Sequence, residues 1–257
     1  MIDPFGLEGR AYIITGGAQG VGRTLAEFGL ERGAKIALVD INGEMLDQVA
    51  DEISSPNLKC IKANVADEAE VNALVTETLS YFGDLHGLIN NAGIVRAAMA
   101  HEMSLDTWQQ VIDVNLTGAF LCLRAVGQAL IEKADNGDPV PGRIVNISSD
   151  AGRRGTIGQI NYGAAKSGVL GLTMSAAREW ARHNITVNSI CYGVVETPMT
   201  DTIRNEKFRD RYLKQIPLGR FAGSEEVAPA TWFFLTDAAS YVTGQHLSVD
   251  GGFHIAT

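Results

Sequence analysis

The chain has 257 residues, of which 46% are hydrophobic, and it carries a formal net charge of −9 with a pI near 5.0. That is enough for one large domain with a substantial core, and the acidic balance argues against non-specific nucleic-acid binding. No apolar run approaches the roughly 20 residues of a membrane span, since Gly118-Ala-Phe-Leu-Cys-Leu123 is ended by Arg124, and the start Met1-Ile-Asp-Pro-Phe-Gly shows no secretory signal, so a cytoplasmic location is expected.

In chain order, residues 10–15 form a short β-branched, apolar run that ends in Gly16-Gly17-Ala18-Gln19-Gly20-Val21-Gly22 and leads into a helical pattern reaching Arg32. This is a strand, a glycine turn and a helix. Gly16, Gly20 and Gly22 let the backbone turn tightly and approach a pyrophosphate, whose charge the helix N-terminus attracts. The next strand, 35–39, ends at Asp40, 18 positions after Gly22, where an acidic side chain can reach an adenosine ribose. A carboxylate there accepts from the 2′- and 3′-hydroxyls and repels a 2′-phosphate, and neither Gln19 nor Ile41 supplies a compensating cation, so NAD is expected over NADP. Helix N-capping is the competing duty for Asp40, one that Asn42 can also fill.

Further strands are predicted over 58–63, 85–90, 143–148, 185–191 and 247–250, alternating with helical patterns. Such alternation implies a single α/β domain with a doubly wound parallel sheet and helices on both faces, and ligands bind beyond the carboxyl ends of its strands. The turn-rich stretch 135–142 reads as a surface loop. Cys60, Cys122 and Cys191 are odd in number and widely spaced, which favours reduced core thiols. The histidines at 86, 101, 183, 246 and 254 show no metal-site spacing and read as surface or loop residues, with His101 placed to approach a substrate.

Tyr162 and Lys166 stand four residues apart, thirteen and seventeen positions after Ser149. On a helix they share a face, so the ammonium can favour the ionised phenol and make a group of ordinary pKa near 10 useful in acid-base catalysis.

Thr15-Gly-Gly-Ala-Gln-Gly-Val-Gly22, Asn90-Asn91-Ala92-Gly93, Asn115, Ser149, Tyr162 and Lys166, in this order and spacing, closely resemble the short-chain dehydrogenase/reductase family in its short, single-domain branch. The resemblance runs almost end to end. It implies a seven-stranded Rossmann sheet and a catalytic set of Asn115, Ser149, Tyr162 and Lys166. Ser149 would orient the substrate oxygen, Lys166 would also hold the nicotinamide ribose, and Asn115 would bend its helix and hold a water. Ser148 would be structural. The cofactor would lie along Gly16, Gln19, Gly20, Val21 and Gly22, then Asp40 and Ile41. Beyond these come Asn64 and Val65, where Asn64 replaces a frequent Asp toward the adenine, and Asn91, Ala92 and Gly93. Val195 and Thr197 would hold the carboxamide, although Tyr192 stands where relatives usually have proline and puts that turn in question.

Specificity is expected to rest on 94–103, 150–160 and a substrate loop at about 194–216. Arg96, Arg153 and Arg154 raise the possibility of an acidic substrate. The reading favoured here is an NAD-linked dehydrogenase of a secondary alcohol, polyol or sugar. The alternatives are an NADPH-dependent 3-oxoacyl-[acyl-carrier-protein] reductase, against which the acidic 135–138 segment and His183 argue, and a non-catalytic NAD-binding protein. The small residues Ala164, Ala165, Gly168, Gly171, Ala176 and Ala177 would permit close helix packing in a homotetramer or dimer, or against the sheet.

Overall fold

The computed structural model describes residues 3–137 and 142–255, so part of the predicted 135–142 loop lies outside the described residues. In chain order the elements are β1 (Ala11–Thr15), α1 (Gly20–Leu30), β2 (Lys35–Asp40), α2 (Gly43–Ile53), β3 (Leu58–Lys62), α3 (Glu68–Phe82) and β4 (Gly87–Asn90). There follow α4 (Leu105–Ile112), a π-helical segment Asp113–Gly118, α5 (Ala119–Asp135), β5 (Arg143–Ser149), α6 (Ala151–Arg154), α7 (Ile160–Trp180) and β6 (Thr186–Tyr192). The last are α8 (Asp201–Arg204), α9 (Glu206–Leu213), α10 (Ser224–Phe233) and β7 (His246–Val249).

The strands form one parallel sheet in the order β3-β2-β1-β4-β5-β6-β7. Both faces are buried, which is why β1 and β2 read as continuous apolar runs rather than alternating ones. One face packs on Leu25 of α1, Leu46 of α2 and Trp232 of α10. The opposite face packs on Leu74 of α3, Val126 of α5 and Ala176 of α7. Trp232 fastens the first layer, donating its indole N–H to the Leu25 carbonyl at 2.9 Å and meeting Tyr12 edge-on at 5.2 Å between ring centroids. The strand order reverses between β1 and β4, and Thr15, Asp40, Asn90 and Ser149 sit at or near the carboxyl ends around that point.

Four expectations are corrected. The continuous helix Leu105–Asp135 has the length and mean hydropathy of a membrane span, contrary to the reading that no apolar run approaches one; 56% of its apolar window is buried within the fold, where Leu121, Leu123 and Val126 pack beneath the sheet. His86 is buried and accepts a hydrogen bond from the Ala11 N–H at 3.0 Å. His101 is exposed beside Glu102 and does not line the cleft. Segment 150–160 carries α6 and is not a plain loop. Of the small residues of α7, Ala165, Ala176 and Ala177 are buried, Gly168 lies against Leu116, and Ala164 is exposed.

Candidate active site

A cleft of about 650 Å³ opens beyond the carboxyl ends of the central strands. Its cofactor half begins at the turn between β1 and α1. Gly16 has φ of +65°, and a Cβ there would stand 2.7 Å from Ala92 Cα; a Cβ on Gly22 would stand 2.1 Å from the Gly16 carbonyl oxygen. A side chain is therefore sterically excluded at these two positions of the turn. No side chain caps α1, and its first turn contains no acidic residue, so its leading N–H groups are suited to an anion. Gln19, Gly20 and Val21 line the cleft with Asp40 and Ile41.

Asp40 is held in place by the backbone, Oδ2 accepting from Ala18 N at 3.1 Å and Oδ1 from Asn42 N at 3.0 Å. The cap of α2 is Asn42, whose Oδ1 accepts from Met45 N at 3.1 Å. Asp40 thus retains acceptor capacity toward the cleft, since each carboxylate oxygen offers more than one lone pair. Arg23 on α1 is occupied by Glu27 and Glu52.

Asn64 and Val65 also line the cleft. The Asn64 carbonyl already accepts from Ala66 N at 3.0 Å, so only its remaining lone pair is available to an adenine amino group. Asn91 serves the wall. Its carboxamide donates to the carbonyls of Thr15 at 2.9 Å and Gly16 at 3.0 Å, while Thr15 Oγ1 accepts from Asn91 N and Ala92 N, tying β4 to β1. Gly93 follows, and a Cβ on it would stand 3.5 Å from both Asn115 Oδ1 and Lys166 Nζ.

The second half of the cleft brings together Ser149 at the end of β5 and Tyr162 and Lys166 in the first two turns of α7. Ser149 stands close enough to Tyr162 to lower its phenol, and its hydroxyl accepts from Ala151 N at 3.2 Å. Lys166 is 4% exposed, donates to the Ile147 carbonyl at 2.8 Å, and holds its Nζ 5.7 Å from the Tyr162 ring centroid. Burial pushes its ammonium down to about 8. Tyr162 departs from expectation: burial raises its phenol, the Ser149 hydroxyl opposes that rise, and no net lowering by Lys166 results. Desolvation drives both groups toward their neutral forms. Ser148 is buried and donates to the Lys166 carbonyl at 2.8 Å, a structural bond.

Asn115 lies in the π-helical segment, fully buried, and its carboxamide pairs twice with Ile94, accepting from N at 2.8 Å and donating to O at 2.9 Å. Asn161 went unnoticed in the sequence. Its amide donates to the carbonyls of Arg96 at 3.0 Å and Thr107 at 3.2 Å, while its carbonyl accepts from Tyr162 N at 2.8 Å. Adjacency to Tyr162 was the only signal.

Val195 and Thr197 line the cleft, but the Val195 carbonyl is already taken by the Thr200 hydroxyl at 2.6 Å. Tyr192 is buried with its hydroxyl 2.5 Å from Thr231 Oγ1, filling space in the core, and it also lines the cleft. None of the three arginines lines the cleft: Arg153 donates to Ser248 Oγ at 2.6 Å, Arg154 pairs with Asp150, and the exposed Arg96 donates to the Val95 carbonyl at 2.9 Å. Phe253 and Tyr212, which no motif marked, close the far end.

Comparison with known proteins agrees with this geometry. Residues 16–254 match the family model described as Enoyl-(Acyl carrier protein) reductase. The chain is 40% identical over 251 residues to the 3-oxoacyl-[acyl-carrier-protein] reductase FabG of Staphylococcus aureus, covering 96% of this chain and 98% of that one. Against FabG of Thermotoga maritima the identity is 39%, covering 97% and 99%. Among solved structures, levodione reductase superimposes with a TM-score of 0.90 at 34% identity, covering 98% of this chain and 100% of the other. A short-chain type dehydrogenase/reductase from Mycobacterium marinum superimposes with a TM-score of 0.90 at 29% identity, covering 98% of each.

Proposed function

Because the chain belongs to the short-chain dehydrogenase/reductase family of oxidoreductases, which binds a nicotinamide cofactor, we propose that it interconverts a secondary alcohol and its ketone with NAD as the preferred cofactor. The observation that carries the reaction is the convergence of Ser149, Tyr162 and Lys166 in one cleft with the glycine turn. The one that carries the cofactor is Asp40, fixed by two backbone N–H groups where a 2′-phosphate would meet its charge.

A bound nicotinamide dinucleotide supplies the hydride acceptor in oxidation and the donor in reduction. Around it, α1 offers its uncapped N-terminus to the pyrophosphate, Asp40 accepts from the ribose hydroxyls, and Lys166 reaches the second ribose. Tyr162 accepts the substrate's hydroxyl proton as the carbinol hydride leaves, and returns it in the reverse direction. Ser149 hydrogen-bonds the same oxygen and holds charge that develops there. Asn115 and Asn161 position the strand of backbone at 94–96 beside them. The active set argues against a purely regulatory NAD-binding role.

A second reading, reduction of a 3-oxoacyl group on acyl carrier protein, is favoured by the names of the curated relatives. The two separate in one assay. Following reduced-nicotinamide absorbance, NAD⁺-dependent oxidation of a secondary alcohol supports the first, and preferential thioester reduction with NADPH supports the second. Tyr162→Phe is expected to lower kcat by about 10²- to 10⁴-fold; a loss under tenfold rules out the role given to Tyr162.

A further inference from the structure

The reaction centre leaves the body of the substrate open, and the far wall of the cleft narrows it. Beyond Ser149 and Tyr162 the apolar lining includes Val194, Met199, Ile203, Tyr212 and Phe253. Four of them belong to a small apolar cluster separate from the two main cores, in which Val194, Ile216, Phe221 and Phe253 are buried and Ile203, Tyr212 and Leu213 pack against them. Phe253 and Tyr212 are tilted aromatic neighbours with centroids 6.0 Å apart. The Arg154 guanidinium lies 3.5 Å from the Phe253 ring centroid, fixing that ring from behind.

The cations near this wall do not line the cleft and are engaged elsewhere on the protein. Arg154 is paired with Asp150, Arg153 with Ser248, Arg204 with Asp201 and the Thr197 carbonyl, and His254 with Asp250 at 2.8 Å. Among the described residues lining the cleft the charged ones are Asp40 at the adenosine end, Asp150 paired with Arg154, and Lys166 on the Ile147 carbonyl. A substrate carboxylate or phosphate would find no cation there. The neutral polar side chains at this end are Thr156, Gln159, Thr200 and the Tyr212 hydroxyl, and the Thr200 hydroxyl is committed to the Val195 carbonyl, so a chain of hydroxyls finds few partners among the apolar side chains. Each substrate hydroxyl buried against this wall without a partner would lose roughly ten- to a hundredfold in binding.

We propose that the substrate is a compact, uncharged and largely apolar secondary alcohol or its ketone, of aryl or alicyclic type, seated against Phe253 and Tyr212. The same wall disfavours polyols, sugars and sugar acids relative to apolar carbinols, which narrows the substrate class expected from the sequence. The inference rests on the oxidoreductase reading given above and specifies the substrate of the same site.

The test compares kcat/KM of the full chain with NAD⁺ for 1-phenylethanol and 4-methylcyclohexanol against sorbitol and gluconate, and with NADH or NADPH for a 3-oxobutanoyl thioester. The two apolar carbinols are expected to exceed the others by about tenfold or more. Preference for a polyol, a sugar acid or the thioester overturns the proposed class while leaving hydride transfer standing. If no member turns over, calorimetry of acetophenone with the Tyr162→Phe protein and NADH decides. Binding of acetophenone supports the class and its absence overturns it, whereas failure of NADH itself to bind overturns the cofactor reading. In Phe253→Ala the kcat/KM ratio of 1-phenylethanol to 2-propanol is expected to fall about tenfold, and Phe253→Leu is expected to restore most of it. An unchanged ratio removes the apolar wall from recognition. Ile203→Arg provides a second check that keeps both aromatic side chains: mandelate is expected to gain about tenfold relative to 1-phenylethanol, and no gain counts against the proposal.

Discussion

At the residue scale, the two titrating groups of the centre are set by burial as much as by each other. Lys166 is brought down to about 8, so its charge is lost over a range close to neutrality, while Tyr162 is pushed upward and only the Ser149 hydroxyl pulls it back. In the oxidation direction Tyr162 must accept a proton, so kcat/KM rises with pH through its titration. Ser149→Ala removes the one group that opposes the rise, and the ascending limb of that profile is expected to move to higher pH, together with a loss of kcat. A pH profile of the variant with an unshifted limb would show that Ser149 does not act on the Tyr162 proton.

The element that bends around the site is the long helix from Leu105 to Asp135, interrupted by the π-helical segment at Asp113–Gly118. Such an interruption frees the backbone from its regular ladder and re-aims a side chain, here Asn115, which satisfies both backbone groups of Ile94 and so fixes the start of the 94–103 segment beside Lys166 and Gly93. Asn115→Ala leaves the Ile94 N–H and carbonyl without that partner, and a cost of about 1–3 kcal/mol is expected. Thermal unfolding of the cofactor-free protein measures it as a drop of several degrees for a chain of this size. An unaltered melting temperature would mean that water replaces the carboxamide without loss. Asn161 fastens the same segment from α7, so the two asparagines hold the wall from both sides.

For the whole molecule, the cleft is assembled from strand ends that are far apart in sequence, and a cofactor that spans it links them. Saturation with NADH at about 100 times its dissociation constant is expected to add about 2.7 kcal/mol of stability, or roughly 5–10 °C in melting temperature for a domain of this length. NADPH at the same concentration is expected to add clearly less, because Asp40 is fixed by Ala18 and Asn42 and cannot turn away from a 2′-phosphate without losing those bonds. Differential scanning calorimetry with each cofactor provides the comparison. Equal shifts, or a larger one with NADPH, would remove Asp40 as the discriminating group.

The features legible in the sequence are those that depend on local chemistry. Buried parallel strands need apolar runs, which makes the central strands readable, and a turn that excludes Cβ atoms needs glycine at 16 and 22. The four-residue spacing of Tyr162 and Lys166 on one helix places both in the cleft, and Asp40 and Asn42 are both legible as cap residues, although only the fold gives the cap to Asn42. What the tertiary structure decided depends on contacts between distant segments. The direction of the Tyr162 shift follows from how much water the surrounding elements remove. The commitment of Arg153 and Arg154 depends on Ser248 and Asp150, and the turn of Tyr192 into the core depends on Thr231 of α10. The apolar far wall depends on Phe253 meeting Tyr212 and Ile203 across more than forty positions of chain, and neither spacing nor composition encodes that meeting.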